Sequence, residues 1–149
     1  MVYESLVRFD EGRIGAAAIY CSDGRFGEQI DDFLHNGLRL PRFDRLVVPG
    51  GAACLAGHFL AFREEEGLIE QVRFLIQVHD LERIVLIAHQ ECAFYGQRLH
   101  VPLPRLEGQQ REDLLAAAER LRSLARHLAV DCFFARKHAT GTVRFEPLK

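Results

Sequence analysis

Short apolar runs alternate along the chain with segments whose apolar residues recur at helical spacing. Ile14-Gly15-Ala16-Ala17-Ala18-Ile19-Tyr20 reads as a buried strand that ends at Cys21. Phe26, Ile30, Phe33 and Leu34 then share one helix face, and Asn36-Gly37 closes that helix. Leu46-Val47-Val48 reads as a second buried strand, stopped by Pro49-Gly50-Gly51. Leu68, Ile69, Val72, Leu75 and Ile76 form the apolar stripe of a second helix, with Glu64, Glu65 and Glu66 near its electropositive N-terminal end.

Ile84-Val85-Leu86-Ile87-Ala88 is the clearest strand, continuous and β-branched, and His89 ends it. A loop containing Pro102 and Pro104 follows. Leu114, Leu115, Ala118, Leu121, Leu124, Ala125 and Leu128 then predict the longest amphipathic helix. Cys132-Phe133-Phe134-Ala135 is a fourth strand, and Thr142-Val143-Arg144-Phe145 a short final one at a hairpin edge. Strands alternating with helices imply an α/β fold: a mostly parallel central sheet of four strands plus a short edge strand, with helices on both faces. Ligands of such sheets bind beyond the carboxyl ends of the strands, where the winding direction reverses. Cys21 and His89 both stand at such ends.

Length and composition narrow the reading. A chain of 149 residues suits one domain, 1–149, and no linker or repeat divides it. Net charge is -2 with acids and bases intermixed, which is not the basic footprint of a nucleic-acid binder. The N-terminus lacks the apolar core of a signal peptide and no apolar run is long enough for a membrane helix, so a cytoplasmic protein is expected. Four cysteines at 21, 54, 92 and 132 include no closely spaced pair, so any metal site must be assembled from distant segments. Cys54 and Cys132 read as core thiols.

Two clusters carry candidate chemistry: Cys21-Ser22-Asp23-Gly24-Arg25 and His89-Gln90-Glu91-Cys92. Thiolate and imidazole are donors that zinc prefers, and three protein ligands with one open position is the catalytic pattern. Asp23 has two possible roles: it can take the fourth position, or hydrogen-bond a water there while Arg25 holds it off the metal. A thiol enzyme using Cys21 is the competing chemistry. A phosphatase-type loop would need arginine at position 27, where Gly27 stands.

These clusters resemble the metal-site signature of the β-class carbonic anhydrases, and the order of elements is similar over roughly residues 14 to 146. The resemblance implies that Cys21, His89 and Cys92 bind Zn2+ and that Asp23 and Arg25 form a dyad gating its fourth position. It implies reversible hydration of carbon dioxide to bicarbonate through zinc-bound hydroxide. It also implies a homodimer or higher homo-oligomer, because the family builds its pocket at a subunit interface.

The sequence departs from the family at Val48-Pro49-Gly50-Gly51, where members usually carry Arg-Asn-Ala-Gly, and at Ala88 and Ala93, where they usually carry glycine. The N-terminal helices of many members have little room before a strand that begins near Ile14. Two alternatives therefore stand beside hydration: a non-catalytic zinc protein, or action on another small molecule such as carbonyl sulfide or carbon disulfide. For proton transfer, His35, His58, His79, His100, His127 and His138 are all available.

Overall fold

A computed structural model describes residues 1–149, all of the chain. Five strands make one sheet: β1 (Ala16–Tyr20), β2 (Asp44–Val47), β3 (Arg83–His89), β4 (Ala129–Lys137) and β5 (Val143–Leu148). Their order is β2-β1-β3-β4-β5, parallel except for the antiparallel β4–β5 pair. The helices are α1 (Gly27–Asp32), continued by a wider turn through Gly37, α2 (Phe62–His79), α3 (Ala93–Gln97) and α4 (Leu103–Leu124).

Side-chain alternation along the central strands divides the interior in two. Ala17, Ile19, Ile84, Leu86 and Ala88 face α2 and α4, where Leu68, Ile69, Val72, Leu114, Ala118 and Leu121 meet them. Ala16, Ala18, Tyr20, Val85 and Ile87 face the other way, onto Phe26 just before α1, Ile30 within it and Leu34 in the turn that continues it. Both faces of β1 and β3 are covered, which is why those strands read as continuous apolar runs. Each fully buried Leu, Ile or Phe here contributes about 1.5–3 kcal/mol relative to exposure.

Three expectations need correction. β2 is an edge strand and not a buried one: its residues alternate between half-buried and exposed, and Val47 is 40% exposed. An apolar triplet reads the same whether or not a neighbour covers it. The last helix begins at Leu103, well before Leu114, because Pro104 sits in its first turn, where a missing N–H costs nothing. That helix stops at Leu124, and Leu128 is buried from beyond it. The short helix α3 had no sequence signal of its own.

The path of the chain positions the site. From β1 it steps outward to β2, then crosses back past β1 to β3, so the winding reverses between β1 and β3. Tyr20 is level with Ile87 across that boundary. Cys21 and His89 therefore leave neighbouring strands at the same end of the sheet, at the reversal point. No helix is long and apolar enough to cross a membrane.

Candidate metal centre

The three donor atoms of Cys21, His89 and Cys92 all lie within 4.8 Å of one another, and all three residues are buried. His89 belongs to the α1 side of the sheet, where its ring packs 4.5 Å from that of Phe26. Cys92 arrives through a tight turn in which Glu91 takes a left-handed conformation, φ 58°. L-residues resist that conformation by about 1–2 kcal/mol. The turn brings a residue three positions after His89 back to the same point.

The glycine turn after β2, at Gly50-Gly51, shapes the opposite wall. Ser22 N–H donates to Val48 O (3.2 Å) and Val48 N–H to Tyr20 O (3.2 Å), which zips the segments after β1 and β2 together. Gly50 N–H then donates to Cys21 Sγ at 3.4 Å. Gly51 has φ 52°, and a Cβ there would stand 2.8 Å from the backbone nitrogen of Cys21. The departure at Pro49-Gly50-Gly51 thus supplies backbone, not side chains, to the site.

The donors are of the types zinc takes, and the spacing of the two sulfurs fits one ion between them. Two sulfurs about 2.3 Å from one tetrahedral ion stand about 3.8 Å apart. Cys21 Sγ and Cys92 Sγ are 3.8 Å apart. His89 Nδ1 lies 2.9 Å from Gln90 O. A carbonyl can only accept, so Nδ1 carries the proton and Nε2 presents its lone pair, the tautomer a metal needs. Nε2 is buried with no hydrogen-bond partner, a costly state for an atom with nothing to bind.

The thiols are polarised against each other. The bond from the Cys92 thiol pulls the Cys21 pKa down against the effect of burial, with help from His89 and the Gly50 N–H. The same bond, together with burial, pushes Cys92 up. Cys54 and Cys132 behave as expected of core thiols: burial raises them to about 12 and about 11.

Asp23 stands outside the three-donor set, with Oδ2 3.9 Å from His89 Nε2. Arg25 holds both of its oxygens. Nε donates to Oδ1 at 3.0 Å and Nη2 to Oδ2 at 2.6 Å, while the Arg25 backbone N–H also donates to Oδ1 at 3.0 Å. The hydrogen bond from the Arg25 side chain, opposed by partial burial, lowers the Asp23 pKa to about 2. Glu91 is exposed and paired with Lys137 at 2.6 Å. Of the remaining histidines, His138 lines a cavity of about 270 Å³ together with Arg25 and Phe26. The sequence reading missed the Gly50 N–H on Cys21 and the carbonyl that orients His89, because neither contact uses a side chain of its partner.

A family model described as "Putative carbonic anhydrase" matches residues 12–143, most of the chain. The chain belongs to this family. Solved β-carbonic anhydrase structures are similar to this chain. The β-carbonic anhydrase isoform I of the protozoan Trichomonas vaginalis shares 12% identity, with 95% of this chain and 87% of that one covered, at a TM-score of 0.55. A chain from the work on two tetrameric β-carbonic anhydrases of the ascomycete Sordaria macrospora shares 15% identity over 90% and 81% of the two chains, at a TM-score of 0.49. At 12% identity, the likeness to the Trichomonas vaginalis enzyme is one of fold. A search of curated proteins finds no significant match.

Proposed function

We propose that this carbonic anhydrase family member is a zinc enzyme that hydrates carbon dioxide reversibly, with Cys21, His89 and Cys92 as ligands. One observation carries the reading: three zinc-type donors converge while Arg25 keeps the Asp23 carboxylate engaged outside the set. That is the three-ligand arrangement of a catalytic site, not the four-ligand arrangement of a structural one.

When bound, zinc supplies a Lewis acid that lowers the pKa of water and readies it to attack the carbon of carbon dioxide. The chain supplies the rest. Asp23, anionic throughout the working range, accepts a hydrogen bond from the attacking water and takes its orientation from Arg25. Phe26, itself buried, covers the His89 ring and keeps solvent from that side. The Gly50 N–H stabilises charge on Cys21 Sγ. His138, in the cavity it shares with Arg25, is placed to pass a proton to solvent.

The protein is read as a cytoplasmic homo-oligomer. Four free thiols suit a reducing compartment. The open edge of β2 and the exposed Tyr3, Leu6, Val7 and Phe9 of the N-terminal segment are surfaces that a second copy would cover.

A second substrate reading rests on the turn after β2. Val48-Pro49-Gly50-Gly51 brings no polar side chain to the wall against Cys21. Such a wall also suits carbonyl sulfide or carbon disulfide. The test is a parallel assay of zinc-loaded protein for carbon dioxide hydration and for hydrogen sulfide release. Hydration without sulfide release supports the main reading, sulfide release alone replaces the substrate, and neither reaction makes the domain a non-catalytic zinc protein.

A further inference from the structure

Helix α4 buries two polar residues, one turn apart, in a face otherwise made of leucine and alanine: Gln110, 1% exposed, and Asp113, 3% exposed. An amide and a carboxylate are costly in such a place unless they hold something. Gln110 Nε2 donates to the carbonyl of His89 at 2.7 Å, while its Oε1 has no partner at all. The amide is therefore kept for its N–H. Asp113 Oδ2 accepts from Tyr95 OH at 2.7 Å and bonds His58 Nε2 at 2.6 Å, and Oδ1 accepts from Gln109 Nε2 at 2.9 Å. Tyr95 is fully buried in the helix that follows Cys92, and its backbone N–H donates to Cys92 O at 3.2 Å.

Across the turn, β4 holds the other side. Gln90 N–H donates to Ala135 O at 2.9 Å, and Lys137 N–H to Gln90 Oε1 at 3.1 Å. The strained Glu91 lies between these two sets of ties. We propose that Gln110 and Asp113 are positioning residues for the metal ligands: Gln110 sets His89 through its carbonyl, and Asp113 sets Cys92 through Tyr95. This rests on the zinc reading above. Its consequence is that the ligand turn is held in a metal-ready shape by α4 before any ion arrives, so that binding does not have to order it.

The test uses two substitutions that remove one hydrogen bond each and keep volume, Gln110→Met and Tyr95→Phe. The control is Leu128→Ala, a core truncation at the far end of the sheet. Zinc dissociation constants are measured by chelator competition on folded protein, with the visible spectrum of the cobalt-substituted form as a report on ligand geometry. The expected result is a 10–100-fold weaker zinc affinity for both variants, the range typical of groups that orient metal ligands, with shifted cobalt bands. Leu128→Ala is expected to lower thermal stability while leaving zinc affinity within about threefold of native. If Gln110→Met and Tyr95→Phe bind zinc as tightly as native, the two residues are structural only and the inference is overturned. If the native chain itself binds no zinc, the metal reading fails and takes this inference with it.

Discussion

Arg25 holds Asp23 by both carboxylate oxygens, in a fork closed by the Nε–Oδ1 contact of 3.0 Å and the Nη2–Oδ2 contact of 2.6 Å. On the proposed zinc reading, this pair decides whether a carboxylate beside the three donors acts as a fourth ligand or as a hydrogen-bond acceptor. Replacing the guanidinium should release the carboxylate toward the metal. Arg25→Ala is expected to retain about one zinc per chain and to lose roughly 10–100-fold in hydration rate. Metal analysis and stopped-flow rates on one preparation read both quantities. An unchanged rate would show that Arg25 does not restrain Asp23.

The same pair sets a pH signature. Asp23 has a folded-state pKa of about 2, below that of an unfolded aspartate. Its contribution to stability is therefore complete above roughly pH 4 and is lost as pH falls toward 2. Glu64, Glu91, Glu107 and Glu146 are lowered as well, each first by a hydrogen bond from a basic side chain. Urea midpoints should hold steady from neutrality to about pH 5 and fall below pH 4. Asp23→Asn should flatten part of that fall. A midpoint that rises on acidification would contradict the sign.

Removing the metal should be visible in stability. A ligand that binds only the folded state adds about 4 kcal/mol when its free concentration is some 1,000 times the dissociation constant. For a chain of this size that corresponds to on the order of 10 °C in melting temperature. Chelation of the native protein is expected to lower its melting temperature by that order, and Cys21→Ser or His89→Ala to abolish the difference. An equal response to chelator in the native protein and both variants would place the metal elsewhere.

Gly51 tests the close approach of the turn after β2 to Cys21. Its φ of 52° and the 2.8 Å distance from a would-be Cβ to the Cys21 backbone nitrogen leave no room for a side chain. Gly51→Ala is expected to cost about 1–2 kcal/mol from the left-handed conformation alone, with the clash adding to it. Zinc affinity should fall with it, because the displaced atoms belong to Cys21, a proposed ligand. Retained affinity would mean that the turn moves independently of Cys21.

His138 is the histidine that shares a cavity with Arg25. His138→Ala should slow hydration on the order of 10-fold in dilute buffer and recover toward native rates with added imidazole. His35→Ala, on an exposed position of the turn after α1, is expected to change nothing. A rate independent of both substitution and buffer would remove His138 from the proton path.

Much of this architecture was legible from residue order because covered strands leave continuous apolar runs. Ile84 to Ala88 could be little else, and the His89 that ends the run marks the carboxyl edge, where sheets of this kind bind their ligands. The donor set was legible because thiols and an imidazole at strand ends are rare enough to notice. The exposed edge of β2 was not, since Leu46 and Val47 carry no mark of whether a neighbour covers them. Nor were Gln110 and Asp113, which look like any polar pair on a helix until α4 is laid across the turn from His89 to Tyr95. Contacts made through backbone carbonyls and N–H groups leave the sequence blank.

The most direct test of the central claim measures zinc content and carbon dioxide hydration on the same purified native protein between about pH 7 and 9, beside Cys21→Ser. The account expects about one zinc per chain and hydration above background in the native protein, with both lost in the variant. A native protein that holds about one zinc per chain and hydrates carbon dioxide no faster than buffer would contradict it.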